Sequence, residues 1–375
     1  MKILIDARLY GLENAGLGRY VMNLTRELVK LDHTNQYIVL LRKKYFNQLN
    51  YPENFQKVEA DYRHYSLEEQ ISLPRLIKKL EPDLVHFPHF NVPFTFSGKF
   101  VVTIHDMVMH WQRGREATTQ PLPVYFAKRL GYKAIFKHAV EKSSKIIVPS
   151  KAVKSEVAQY YKVDQEKIGV VYEGVEKMPM KTKNDKSLIQ KFGLNEKYFI
   201  YTGNAYPHKN LERAIEAIVR LNQHSRVDFA IVCSRSIFTK RLAKIIGKKR
   251  ASGFVKLLGF VPDDELAVLY KHSVGFVYPS LYEGFGLPAL EAISAGSVAL
   301  VSDIPVFREI YEENALYFDP YRVEQILSAM VKILSMGQKE REKFINRGQR
   351  FIKRYSWSKM AKETVKIYKK VLSED

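Results

Sequence analysis

One cysteine, Cys233, stands in 375 residues. A lone thiol closes no intrachain disulfide and builds no cysteine metal cluster, which excludes a disulfide scaffold and a cysteine-based zinc module. Long apolar runs are missing too. No stretch nears the 18 or so uninterrupted apolar residues that a membrane span needs. The N-terminal Met1-Lys2-Ile3-Leu4-Ile5-Asp6 meets an acid after three apolar residues, as a strand does and a signal peptide does not. The expected compartment is the cytoplasm. Acidic residues are few beside basic ones, 40 against 60, for a formal net charge of +20. That imbalance favours an anionic partner: membrane lipid, nucleic acid or a phosphorylated substrate.

What is present is a large apolar fraction, 46% of residues, enough for substantial cores and too much for a disordered chain. The length exceeds one ordinary core, so two domains are expected. Short apolar runs alternate with amphipathic stretches throughout, the pattern of a parallel sheet covered by helices on both faces. The first half carries strands over 2–7, 37–41, 84–87, 100–104, 145–148 and 169–172, with helices over 18–31, 67–80, 125–142 and 152–162. An aperiodic, lysine-rich run, 172–185, reads as the linker. The second half restarts more regularly. The expected divisions are 1–175, a linker over 176–196, a second domain over 197–354 and a last helix over 355–375, capped by Ser356 or Ser358 and anchored by Trp357. Asp263 reads as a helix cap.

The most informative stretch is Pro279-Ser280-Leu281-Tyr282-Glu283-Gly284-Phe285-Gly286-Leu287-Pro288-Ala289-Leu290-Glu291-Ala292. It follows the apolar run 274–278, turns at Gly284 and Gly286, and opens a helix at Pro288. A helix N-terminus directs free N–H groups at whatever lies above it and favours phosphate. Glu283 and Glu291 do not suit phosphate. They suit hydroxyls, so the pattern fits a ligand with hydroxyl-bearing ends and phosphate between: Glu291 on a ribose, Glu283 on a sugar.

Four other stretches place chemistry at strand ends. Gly16 and Gly18, followed by Arg19, form a glycine turn opening a helix, equally suited to a flexible loop. His86, His89 and Asn91 suit either an acceptor cleft or a packed loop. His105 ends an apolar strand, and Asp106 beside it is suited to orienting the loop or the histidine. Lys209, in Gly203-Asn204-Ala205-Tyr206-Pro207-His208-Lys209, stands where a cation meets phosphate. The run from Trp111 to Lys145 is basic and aromatic, with Arg113, Arg115, Lys128, Arg129, Lys133, Lys137, Lys142 and Lys145. It suits a solvated face over a core stripe, or attachment to an anionic membrane surface.

The stretch around Glu283 and Glu291 resembles the E-x7-E motif of the family-four retaining glycosyltransferases. The opening Gly16-Leu17-Gly18-Arg19-Tyr20 and the strand-end His105-Asp106 resemble that family as well. The resemblance covers nearly the whole chain. It implies the GT-B fold, two Rossmann-like domains facing across a cleft, with the C-terminal helix crossing back to the first. It also implies a transferase that moves a hexose from a nucleotide diphosphate sugar, GDP-mannose or a UDP-sugar, to a hydroxyl of a lipid-linked or cell-envelope glycan. By carry-over, His105 and Glu283 act at the reacting sugar. Gly16, Gly18, Asn204, Lys209, Gly284, Phe285, Gly286, Leu287 and Glu291 hold the donor, while Arg19, His89 and Asp106 lie toward the acceptor or sugar. No metal or other cofactor is expected, and no specific nucleic acid; peripheral contact with the inner face of an anionic membrane is. One departure stands out: Asn204 occupies a position where the family commonly has arginine. The competing readings are a nucleotide-sugar epimerase on a related fold, and a non-catalytic membrane- or nucleic-acid-binding protein on a transferase scaffold.

Overall fold

Parallel strands buried on both faces must be apolar along their whole length, and they form where such runs occur. The computed structural model describes residues 1–111, 118, 121–179 and 185–374. Seven strands, β1 Lys2–Asp6, β2 Gln36–Leu41, β3 Phe55–Glu59, β4 Leu84–Phe87, β5 Phe100–Thr103, β6 Lys145–Val148 and β7 Ile168–Val170, make one sheet in the order β3-β2-β1-β4-β5-β6-β7. Six more, β8 Tyr198–Thr202, β9 Asp228–Val232, β10 Val255–Leu257, β11 Gly275–Tyr278, β12 Ala299–Ser302 and β13 Leu316–Phe318, make a second in the order β10-β9-β8-β11-β12-β13. Every pairing is parallel.

Each sheet belongs to its own compact unit. The first unit takes in Met1–His110, the described residues from Pro121 to Gly174, and the C-terminal stretch from Tyr355; the second takes in Trp111, Thr118 and the described residues of Val175–Arg354. In both sheets the strand order reverses beside the first strand, between β1 and β4 and between β8 and β11. Loops leaving the two strands in opposite directions there open a crevice at the carboxyl ends.

The C-terminal helix Trp357–Ser373 packs within the first unit. Ser356 caps it by accepting from the Lys359 N–H at 3.1 Å, and Trp357 and Tyr368 are buried. Gly174 makes the close approach: a Cβ there would lie 2.1 Å from the Trp357 nitrogen. The helix Leu67–Leu80 runs through Pro74, which cannot donate to the Gln70 carbonyl one turn earlier. The Thr95 hydroxyl donates to that carbonyl instead, at 2.5 Å.

Several local expectations are corrected. β3 was not anticipated, because Gln56, Lys57 and Glu59 on an edge strand leave no continuous apolar run. The strongly polar helix Gln338–Phe351 gave no apolar stripe to read. A short helix, Asp185–Lys191, falls in the expected linker. Asp263 lies inside the first turn of its helix, and Pro262 holds the cap position. The first long helix begins at Ala15, so Gly16 and Gly18 are helical residues and not a turn before it. No described helix is long and apolar enough to cross a membrane.

Candidate active site

In the second unit, the loops after β8 and β11 meet at the strand-order reversal. Asn210 stitches them together. It takes a left-handed conformation, φ 56°, and its side-chain amide donates to the Pro279 carbonyl at 3.0 Å and the Pro320 carbonyl at 2.8 Å. The Leu281 N–H donates to the His208 carbonyl at 2.8 Å. These bonds bring Lys209 and Glu283, 74 residues apart, into one buried ion pair with Nζ 2.5 Å from Oε1. The side chains are 10% and 11% exposed. Burial pushes the Glu283 carboxyl up. The charge of Lys209 and its hydrogen bond are the main opposing effects, so the group stays below its ordinary range and ionised. Lys209 also stands over the buried Tyr278 ring, 5.6 Å from its centroid. His208 is driven neutral, its pKa lowered to about 3 by burial and by Lys209.

The turn from β11 into the helix Leu287–Ser294 depends on Gly286. It alone of the two turn glycines has positive φ, 101°, and a Cβ on it would lie 2.2 Å from the Tyr311 hydroxyl. That hydroxyl donates to the Gly286 carbonyl at 2.6 Å. Gly284 makes the turn without a positive φ. Phe285 and Leu287 are buried, and Leu287 is the first residue of the helix. Glu291 is half-buried, one turn into the helix. Asn204 is exposed, and its side chain accepts from the Tyr206 N–H at 3.3 Å, shaping the loop that carries Lys209.

In the first unit, the equivalent loops follow β1 and β4. Arg8 is wholly buried, its guanidinium bidentate on Asp6 (2.7 and 2.7 Å) and 2.8 Å from Glu69. Burial pushes the Asp6 carboxyl up, and Arg8 holds it down. Asn91 donates to both Glu69 oxygens at 2.9 and 3.0 Å, which ties the loop after β4 to this cluster. His89 accepts from the Asn91 N–H at 3.4 Å and packs on Phe90 and Tyr65, the packed-loop arrangement. Gly16 is exposed, and a Cβ on it would meet nothing within 4 Å; at Gly18 a Cβ would lie 1.8 Å from the Gly11 carbonyl oxygen. The first glycine leaves open space and the second permits close backbone packing. Arg19 is half-buried beside them, and its carbonyl accepts from Asn23.

His105, just past β5, is held on three sides. Nδ1 lies 3.1 Å from Glu173 Oε1, Nε2 lies 3.0 Å from the Pro88 carbonyl, and the Tyr20 ring packs edge-on at 4.7 Å between centroids. Asp106 accepts from the Val108 N–H at 2.9 Å and so orders the loop. Glu173 escaped the sequence reading because it falls in the run taken as linker. Asn210 escaped it because an asparagine at left-handed φ carries no spacing signal.

The chain matches the family described as Glycosyltransferase Family 4 over residues 14–177, and the family described as Glycosyl transferases group 1 over residues 183–351. It is 29% identical over 290 residues to the O-antigen chain mannosyltransferase RfbU of Salmonella typhimurium, covering 77% of this chain and 74% of that one. It is 26% identical over 391 residues to the O-antigen chain mannosyltransferase B of Escherichia coli, covering 98% and 100%. Among solved structures it is similar to HepE of Anabaena, crystallised with UDP and glucose, at a TM-score of 0.75, 17% identity and coverage of 99% and 100%. These likenesses favour neither an epimerase nor a scaffold without activity. Two doubly wound parallel sheets of the GT-B kind and a sequence match that runs through both make this chain a member of the family-four glycosyltransferases, and an enzyme.

Proposed function

We propose that the enzyme transfers a mannose or related hexose from a nucleotide diphosphate sugar to a glycan hydroxyl, with retention at the anomeric carbon. The observation that carries this reading is the buried Lys209–Glu283 pair beside the N-terminus of the helix Leu287–Ser294. A cation and free N–H groups suit the diphosphate, and a carboxylate held ionised accepts hydrogen bonds from sugar hydroxyls. Glu291 then takes the ribose. The bond from the anomeric carbon to the diphosphate oxygen breaks while the bond to the acceptor oxygen forms on the same face. The acceptor proton goes to the departing diphosphate, whose charge Lys209 and the helix N-terminus stabilise without a divalent ion. The mannosyl names of the two relatives support the sugar assignment, and the UDP bound in the Anabaena structure supports a nucleotide in the fold. The same relatives' O-antigen names support a cell-envelope glycan as acceptor.

Part of the reading is that the acceptor is lipid-borne and the enzyme peripheral on an anionic membrane. The helix Leu122–Lys142 favours it: Phe126 and Leu130 are 58% and 70% exposed, one turn apart, among Lys128, Lys133 and Lys137. Arg113 and Arg115 lie outside the described residues.

Thermal unfolding with UDP, GDP, ADP and their common sugars tests the donor. Ligand at 100 times its dissociation constant adds about 2.7 kcal/mol. A rise in Tm with one base, absent in Glu291→Ala, identifies the nucleotide. A folded protein that responds to none of them is not this transferase.

A further inference from the structure

Two histidines near the carboxyl ends of β4 and β5 have different partners. His86 Nδ1 lies 2.5 Å from the Tyr368 hydroxyl and Nε2 lies 2.8 Å from the Thr103 hydroxyl. Hydroxyls donate or accept, so a neutral ring satisfies both contacts. His105 meets only acceptors. The Pro88 carbonyl 3.0 Å from Nε2 can only accept, so that nitrogen bears a hydrogen. The other nitrogen faces the Glu173 carboxylate at 3.1 Å, and an ionised carboxylate also only accepts. The two side chains are 13% and 8% exposed, so little water competes for either. We propose that Glu173 holds His105 as an imidazolium, and that Glu173 is thereby a positioning residue for the transfer reaction.

The consequence is a role for His105 that the sequence did not suggest. Both ring nitrogens are committed, one to Pro88 and one to Glu173, so the ring is no base and offers no nitrogen to a hydroxyl. It is a fixed cation just past β5, at the carboxyl ends of the first sheet, where it favours negative charge developing on a substrate oxygen that meets it. Burial and the His105 charge both lower the pKa of His86 and of His89, each to about 3, which keeps its two histidine neighbours neutral. The groups that face His105 are therefore Glu173 beyond β7, the Pro88 carbonyl and His89 beyond β4, His86 on β4, and Tyr20 on the helix Ala15–Leu31, with Asp6 of β1 acting on both neutral histidines. Glu173 is the one anion in direct contact with the ring among the described contacts.

The inference rests on the transferase reading for its kinetic arm and is independent of it for its spectroscopic one. Glu173→Gln keeps the size and the hydrogen-bonding reach and removes the charge. Its His105 ring then has no anion to hold the second proton and gives it up more readily as pH rises. Turnover of E173Q is expected to match the native enzyme near pH 6 and to fall roughly tenfold per pH unit above about 7, with KM for the donor nearly unchanged. The native profile stays flat over that window, and Glu173→Asp restores the flat profile. Nitrogen-15 spectra of histidine-labelled protein, assigned with His105→Gln, should show both His105 ring nitrogens protonated at pH 7.5 in the native enzyme and one in E173Q. A neutral His105 in the native spectrum overturns the proposal. So does an E173Q loss that is the same at every pH, the mark of a merely structural residue. Should neither protein transfer sugar, the proposed function fails, and the spectra alone decide the His105 charge.

Discussion

At the scale of single residues, the site in the second unit is a problem in charge balance. Lys209 and Glu283 are both buried, and each charge offsets the other. Removing one partner leaves the other uncompensated. Lys209→Ala is expected to raise the Glu283 pKa above its unfolded value, since burial then loses the charge and hydrogen bond that oppose it most. A carboxyl raised in the folded state destabilises increasingly as pH climbs above the unfolded value of about 4.3, and the deficit closes as pH falls and the group protonates. The expected result is a Tm deficit that is large at pH 8 and small at pH 5. A buried pair broken from one side costs about 3–5 kcal/mol before relaxation. Glu283→Gln acts in the other direction on ligand binding. It frees Lys209 for phosphate, so the nucleoside diphosphate is expected to raise Tm more in E283Q than in the native enzyme, while the sugar no longer adds to that gain. Calorimetric titration with diphosphate and with nucleotide sugar checks both halves. Equal affinities in native and variant proteins would show that the pair does not restrain Lys209.

At the scale of elements, glycines that looked alike in the sequence separate. Gly286 needs its left-handed φ, and the space a Cβ would occupy is filled by Tyr311 and Phe307. Gly286→Ala is expected to cost about 2 kcal/mol or more through backbone strain and displacement of the Tyr311 hydroxyl. Gly16 has ordinary helical geometry and open space before it. Gly16→Ala should leave Tm unchanged or raise it, by about 0.5–1 kcal/mol for helix propensity. A variant that folds so well and still loses turnover locates a substrate against that helix start; full activity removes Gly16 from the donor site. Denaturant melts of both variants, paired with turnover of G16A, separate the two roles. The helix Leu67–Leu80 makes a related point: it tolerates Pro74 because Thr95 from another loop satisfies the carbonyl the proline abandons, a long-range remedy that no local pattern reveals.

At the scale of the whole molecule, the excess of 20 positive charges is long-range and sequence-nonspecific. Its use on a membrane is decided by where apolar side chains break the surface. Phe126 and Leu130 do so on the helix Leu122–Lys142, among lysines that each contribute about 1 kcal/mol near an anionic bilayer. Co-sedimentation with phosphatidylglycerol vesicles is expected at low salt, weakening toward 0.5 M salt as screening shortens to a few Å. Phe126→Ser with Leu130→Ser should weaken it further without lowering Tm, since neither side chain is in a core. Equal binding to phosphatidylcholine vesicles, or none to either, would leave the positive charge to substrate attraction.

Much of this was legible from residues alone. Strand runs such as Leu84–Phe87 and Tyr198–Thr202, helices such as Leu67–Leu80 and Leu211–Leu221, and the alternation between them follow from burial on both faces of a parallel sheet, which writes itself into local composition. The turn around Gly286, and the places of Glu283, Lys209 and His105 just past strand ends, were readable because strand and turn are contiguous there. Edge strand β3 and the polar helix Gln338–Phe351 were not, because half-exposed elements carry weak patterns. What only the tertiary structure decided is which distant groups touch. It set Lys209 on Glu283, Arg8 between Asp6 and Glu69, and Glu173 on His105. Protonation and charge at a site are properties of pairs in a low-dielectric place. A sequence names the members of such pairs, and the folding of each sheet with its loops chooses the partners.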